Sequence, residues 1–177
     1  MCILNGSPNK NGHSMRVAKA LFHDIDVLYH VYDLAIHPCD DCQVCHSTLH
    51  CKFDDDMRMV LSRLQDCEHL VMVSPIYFGA LSDQLLKLIN RFQMLFETKF
   101  THQKAIMSIP RLTLVCTCGA NDETMFVGAQ RTLDILKTLF QAREVTMLGL
   151  KNTDTIEDIL SAYKKDIEQY KKSVNPH

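Results

Sequence analysis

Short apolar runs alternate along this chain with stretches of helical spacing, and the alternation repeats five times. Cys2 to Leu4 is an apolar run followed by a loop with Gly6, Pro8 and Gly12, then by a helical pattern through Met15, Ala18 and Phe22. Val27 to Val31 reads as a second strand, and after a cysteine-bearing loop Met57, Val60, Leu61 and Leu64 follow the i, i+3, i+4, i+7 spacing of a helix. Leu70 to Val73 is apolar throughout, as in a strand covered on both faces; Pro75 and Gly79 then break the chain before Leu85, Leu88, Ile89 and Phe92. Leu112 to Cys116 gives a fourth strand, with Leu133, Leu136, Leu139 and Phe140 as its helix. Val145 to Leu150 gives a fifth, before a last helix striped by Ile156, Ile159, Leu160, Tyr163 and Ile167, whose N-terminus suits Thr155 with Asp158 three residues on.

Five strands alternating with five helices predict an α/β fold: three layers, with a parallel sheet in the order 2-1-3-4-5 and helices on both faces. Right-handed crossovers then gather the loops leaving the C-terminal strand ends along one edge, where ligands bind at the switch point between strands 1 and 3. Between Glu97 and Arg111, Lys104 to Ile109 reads either as a strand or as part of a long connection. At 177 residues one domain is expected, residues 1–172, with 173–177 as a loose C-terminal tail.

Composition narrows the function classes. Apolar residues make up 46% and charged residues 23%, a globular balance. The formal charge of -2 gives no footprint for nucleic acid, and no apolar stretch or leader points to a membrane or to export, so a cytoplasmic address is expected. Without a secretory signal, the 8 cysteines read as thiols or metal ligands, not as a disulfide framework. Cys2, Cys67 and Cys116 suit small apolar fillers.

Four loops carry candidate chemistry. Asn5 to Ser14 passes from a strand directly into a helix, so backbone N–H groups and the side chains of Ser7, Asn9, Asn11 and Ser14 suit an anion. It is not a Walker A loop, because His13 stands where the lysine belongs, and it lacks the G-x-G-x-x-G spacing. Ser74 to Ser82 places Tyr77 and Phe78 between Pro75 and Gly79, which suits a flat heterocycle as well as an aromatic core. Thr117-Cys118-Gly119 should sit beside it, Cys118 itself reading as a buried filler. On the loop after strand 2, Cys39, Cys42, Cys45 and Cys51 form C-x2-C-x2-C-x5-C, a spacing able to wrap an iron–sulfur cluster. Tetrahedral zinc, a redox disulfide and cysteines without any metal remain open for it.

Asn5-Gly6-Ser7-Pro8 through Gly12-His13-Ser14, Pro38-Cys39 through Cys51 with Asp55-Asp56-Met57, and Ser74-Pro75-Ile76-Tyr77-Phe78-Gly79 together resemble the flavodoxin-like NAD(P)H-dependent FMN reductase family, in its branch related to iron–sulfur flavoproteins. The likeness covers nearly the whole chain. It implies a doubly wound, flavodoxin-like sheet holding FMN, with Ser7, Asn9, Asn11, His13 and Ser14 around the phosphate. Pro75, Ile76, Tyr77, Phe78 and Gly79 would lie at the ring, with Thr117, Cys118 and Gly119 opposite. Asn9 stands where a basic residue is frequent, and His13-Ser14 where Asn-Thr is usual, departures that bear on phosphate affinity.

The resemblance further implies a [4Fe–4S] cluster on Cys39, Cys42, Cys45 and Cys51, and NAD(P)H as electron source. A quinone, nitroaromatic, free flavin or metal would be the acceptor, and the site would be completed in a homodimer or higher homo-oligomer. No residue stands out as a general acid or base. The rival readings are a flavodoxin-type electron carrier without a substrate of its own, and a redox or zinc sensor using the four cysteines.

Overall fold

The computed structural model describes residues 1–174. The sheet is formed by β1 (Cys2–Asn5), β2 (Val27–His30), β3 (His69–Tyr77), β4 (Ala80–Leu81), β5 (Arg111–Thr117) and β6 (Glu144–Leu150). Its parallel path runs β2-β1-β3-β5-β6, the expected 2-1-3-4-5 order, while the short β4 pairs antiparallel with β3 off that path. The helices are α1 (His13–Leu21), α2 (Val44–Thr48), α3 (Met57–Leu64), α4 (Asp83–Asn90), α5 (Gln93–Phe96), α6 (Val127–Phe140), α7 (Ile159–Ala162) and α8 (Lys164–Val174).

Alternation along each strand sorts the core into two layers, because successive side chains of a strand point to opposite faces. Leu4, Leu70, Met72, Leu112 and Leu114 pack under α3, α4 and α6, whose buried stripes supply Val60, Leu64, Leu85, Leu88, Leu133 and Leu136. Ile3, Val71, Val73 and Val115 face the other way, onto Met15, Val17 and Ala18 of α1, Ile159 of α7 and Ile167 and Tyr170 of α8. Both faces of the sheet are therefore dry, which explains why its central strands lack polar alternation.

The structure bears on four details of this reading. β3 does not stop at Val73: it continues through Pro75, which pairs alongside Thr117, and turns back at Phe78-Gly79 into β4. Proline is tolerated there because β3 has a parallel partner that does not require its missing N–H at that position. Lys104 to Ile109 forms no strand and belongs to a connection. The last helix is two, α7 and α8, broken at Tyr163, and it is capped by Asp158, whose side chain accepts from the Leu160 N–H, with Thr155 lying outside it. α8 runs through Val174, and residues 175–177 of the expected tail lie outside the described residues. No helix among the described residues is long and apolar enough to cross a membrane.

Candidate functional site

Register decides what meets at the C-terminal edge of the sheet. Asn5, the last residue of β1, lies beside Val73 of β3, and Pro75 of β3 lies beside Thr117 of β5. The loops after β1, β3 and β5 therefore leave the sheet next to one another, which brings the expected phosphate, ring and opposing segments to one edge.

The first loop is built by its own side chains. The Asn5 side-chain oxygen accepts from Ser7 N–H at 3.0 Å, Ser7 Oγ accepts from Asn9 N–H at 3.2 Å, and Asn9 Oδ1 accepts from Asn11 N–H at 3.0 Å. Each is a local turn in which a short polar side chain replaces a backbone acceptor. Gly6 donates its N–H to the Val73 carbonyl at 2.7 Å, and a Cβ there would stand 2.6 Å from that of Leu85, so only glycine lets the loop lie this close to α4. The chain enters α1 at His13, whose first-turn N–H groups have no intrahelical acceptor. Ser7 and Ser14 are buried, whereas Asn9 and Asn11 are exposed and Asn11 Oδ1 accepts from Lys19 Nζ at 3.3 Å. His13 Nδ1 is buried and finds no hydrogen-bond partner among the described residues. An orphaned ring nitrogen beside two buried hydroxyls and a helix N-terminus fits a phosphate group.

The ring segment is a two-residue hairpin. Phe78 (φ 51°) and Gly79 (φ 76°) are both left-handed, the backbone of a type I′ turn, normally given to Asn-Gly. Phe78 is fully exposed and Tyr77 half exposed, while Ile76 is buried and Pro75 partly so. The turn is braced from outside: a Cβ on Gly128, at the start of α6, would lie 2.5 Å from the Gly79 carbonyl oxygen. From the loop after β2, the Tyr32 hydroxyl donates to Asp83 at the start of α4, and burial together with that carboxylate pushes the phenol up to about 12. Thr117 and Cys118 are buried on the third loop, and Gly119 lies against the Asp154 carboxylate, where any side chain would collide.

The cysteine loop leaves β2 and returns into α3. Cys39, Cys42, Cys45 and Cys51 all line one cavity of about 40 Å³, little more than the room one water occupies. Three non-glycine residues of the loop, Asp41 (φ 53°), Gln43 (φ 58°) and Leu49 (φ 61°), are held left-handed, a cost that persists only where the surroundings impose it. Burial, followed by the charge of Glu97, pushes the Cys45 thiol up. His46 and His50 are exposed, and His46 Nδ1 lies 3.5 Å from Glu97 Oε2. Among the described residues no three His, Cys, Asp or Glu side chains are placed to hold a metal ion. A single tetrahedral zinc needs its sulfurs drawn around one point, whereas a cuboidal cluster binds each cysteine to a different iron and spreads them apart. The chemistry of the donor set fits the cluster; the cavity has to widen to admit one.

Sequence reasoning missed what anchors this loop. Arg91, following α4, is 3% exposed and pairs with Asp55 through Nη1–Oδ2 at 2.6 Å and Nη2–Oδ1 at 3.3 Å. Asp55 also accepts the N–H groups of His37 (2.9 Å) and Met57 (3.1 Å), so its two ends tie the entry and exit of the loop to α4. Burial alone would push the Asp55 carboxyl up, but Arg91 and these N–H groups outweigh it and hold it below its usual range. Phe53 stacks on His37 with ring centroids 3.9 Å apart, and the Arg91 guanidinium lies 5.1 Å from the Phe53 centroid. The signal in the sequence was Asp55-Asp56 itself: paired acids at a helix entry need donors, but nothing local named Arg91 as one.

Comparison with known proteins bears on the same three loops. An iron–sulfur flavoprotein of Archaeoglobus fulgidus is 31% identical over 97 residues, 51% of this chain and 47% of that protein. One from Methanosarcina thermophila is 26% identical over 104 residues, 55% and 54% of the two chains. The matches thus span about half the length of these curated relatives. Among solved structures, an FMN-dependent NADH-azoreductase from Bacillus anthracis in complex with FMN superposes with a TM-score of 0.68 at 14% identity, covering 98% of each chain, a likeness of fold. The model of the NADPH-dependent FMN reductase family matches residues 1–145, which takes in all three loops and the cysteine segment. By that match this chain belongs to the NADPH-dependent FMN reductase family.

Proposed function

We propose that residues 1–172 form one FMN-binding domain that passes electrons from NAD(P)H to a small acceptor such as a quinone, nitroaromatic, flavin or metal. The observation that carries the reading is the register of the sheet edge, Asn5 beside Val73 and Pro75 beside Thr117, which leaves the three loops side by side above the switch point. Ser7, His13 and Ser14 hold the phosphate, with Asn9 and Asn11 shaping the loop around it. Pro75 packs against the ring while Ile76 to Gly79 offer backbone N–H groups and the exposed faces of Tyr77 and Phe78 to it, and Thr117 to Gly119 close its other side. When bound, FMN supplies the capacity to accept a hydride and release its electrons. The protein's part is to fix the ring at the edge and leave one face open to nicotinamide and acceptor in turn.

Cys39, Cys42, Cys45 and Cys51 would hold a [4Fe–4S] cluster in this reading, supported by the donor chemistry and by the names of the two archaeal relatives. A homodimer completes the proposal, since Val127 and Ile135 of α6 and Phe96 of α5 are large apolar residues left exposed. The test is titration of flavin-free protein with FMN, followed by NADH and NADPH oxidation with each acceptor class. Saturable 1:1 flavin binding with acceptor-dependent oxidation is expected. A folded preparation that ignores FMN would overturn the reading.

A further inference from the structure

The four-cysteine cavity is lined by one permanent cation from outside the loop, and that cation is short of a hydrogen-bond acceptor. Arg91 Nη1 donates to the His37 carbonyl at 2.7 Å and to Asp55 Oδ2 at 2.6 Å, and Nη2 donates to Asp55 Oδ1. Nε is buried and has no partner among the described residues. A guanidinium is a rigid planar fork, so fixing both Nη atoms also fixes the direction in which Nε–H points. Arg91 lines the cavity shared by Cys39, Cys42, Cys45 and Cys51, and with Cys51 it also lines a larger groove of about 590 Å³. The Cys51 sulfur lies close enough to act on the charge of Arg91.

A buried donor left without an acceptor costs more on a charged group than on a neutral one, and side-chain rotation would normally relieve it. Here the clamp on Asp55 and His37 prevents rotation. The charge balance points the same way. Asp55 neutralises Arg91 once, Asp40 of the same cavity is already paired with Lys52, and the cysteine that acts on Arg91 is Cys51, whose sulfur is a good acceptor only when it carries negative charge, as a metal-bound thiolate does.

We infer that Arg91 is a positioning residue for an iron–sulfur centre on this loop, its Nε–H donating to the sulfur of Cys51 once that sulfur is bound to iron. The inference rests on the cluster reading above and adds a residue that lies outside the cysteine motif. An N–H···S hydrogen bond and an adjacent positive charge both favour the more negative, reduced state of a cluster, so Arg91 raises its reduction potential, whereas Asp55 lowers it.

The opposed signs make the test. Wild type, Arg91→Met and Asp55→Asn are purified anaerobically and reconstituted with iron and sulfide; cluster content is measured, and the potential is read by redox titration followed by electron paramagnetic resonance. Both substitutions break the same ion pair, so a purely architectural role moves both potentials in the same direction. The expected result is a lower potential for Arg91→Met and a higher one for Asp55→Asn. Should Arg91→Met fail to fold, Arg91→Lys, which keeps the charge but has no Nε–H, carries the comparison and is expected to fall between wild type and the loss. Unchanged potentials, or shifts of one sign, overturn the role of Arg91 while leaving the cluster in place. A wild-type protein that takes up neither iron nor sulfide overturns the cluster reading and this inference together, independently of whether FMN binds.

Discussion

Phe78 sits in a backbone conformation that suits asparagine or glycine, with its ring wholly in water. Neither its backbone nor its packing stabilises the fold. Phe78→Asn is therefore expected to raise the stability of flavin-free protein by about 1 kcal/mol, read from urea unfolding, while weakening the binding of flavin or acceptor. An Asn variant that is both less stable and equally active would show the aromatic ring to be structural. Ser14 gives the opposite case. Its hydroxyl is buried at the first turn of α1, and if it donates to a phosphate, Ser14→Ala costs about 1.5–3 kcal/mol of FMN binding, a ten- to hundredfold rise in Kd by fluorescence titration. Unaltered affinity would move the phosphate away from this loop. At this scale the sequence was legible wherever a residue's type is its function, as with the glycines, serines and cysteines of the loops. Arg91 was illegible because its partners, Asp55 and the His37 carbonyl, are distant in sequence.

Among the elements, the strands were the most readable. The runs Leu70 to Val73 and, Thr113 apart, Leu112 to Cys116 are apolar because both sheet faces are covered. The β3–β4 hairpin was not readable, because Pro75 mimics a strand end and Phe78-Gly79 lacks the usual hairpin signature. The break between α7 and α8 was hidden by a stripe, Ile159, Tyr163 and Ile167, that keeps helical spacing across it. What steadies the hairpin is the close passage of α6. Gly128→Ala would push a methyl group to 2.5 Å from the Gly79 carbonyl, so the hairpin or α6 must shift. The expected outcome is a loss of about 1–3 kcal/mol in stability, with weakened FMN binding, measured by denaturation and flavin titration. Lost stability with intact flavin affinity would separate the hairpin from the site.

Across the whole molecule, the N-terminal edge of the sheet carries a polar knot far in the fold from the three loops. Thr113 Oγ1 lies 3.0 Å from Thr146 Oγ1 and 3.1 Å from the Tyr170 hydroxyl, and Thr146 Oγ1 lies 2.6 Å from Tyr170. Three hydroxyls can satisfy one another in a ring, which leaves Thr113 able to accept from His69 Nε2 at 2.9 Å. His69 is thereby kept neutral: burial, then the charges of Arg111 and the N-terminus, push it down to about 4. The unfolded chain takes up that proton near the usual histidine range of about 6.5 while the folded one does not, so more protons bind the unfolded state between these values. Stability should fall as pH drops from about 6.5 to about 4, and His69→Gln should flatten that slope in denaturation curves collected across the range. A variant as acid-sensitive as wild type would place the cause in the carboxylates.

The same knot bears on how the protein can be cut and rebuilt. Among the described residues Tyr170 is the last side chain hydrogen-bonded to a strand, and its hydroxyl joins the threonines of two neighbouring strands. A shortened version ending with β6 would contain the loops after β1, β3 and β5 and still lack the fastener beneath them. Engineering that moves this scaffold into fusions therefore has to carry α8 along, as the piece that keeps the floor of the sheet shut.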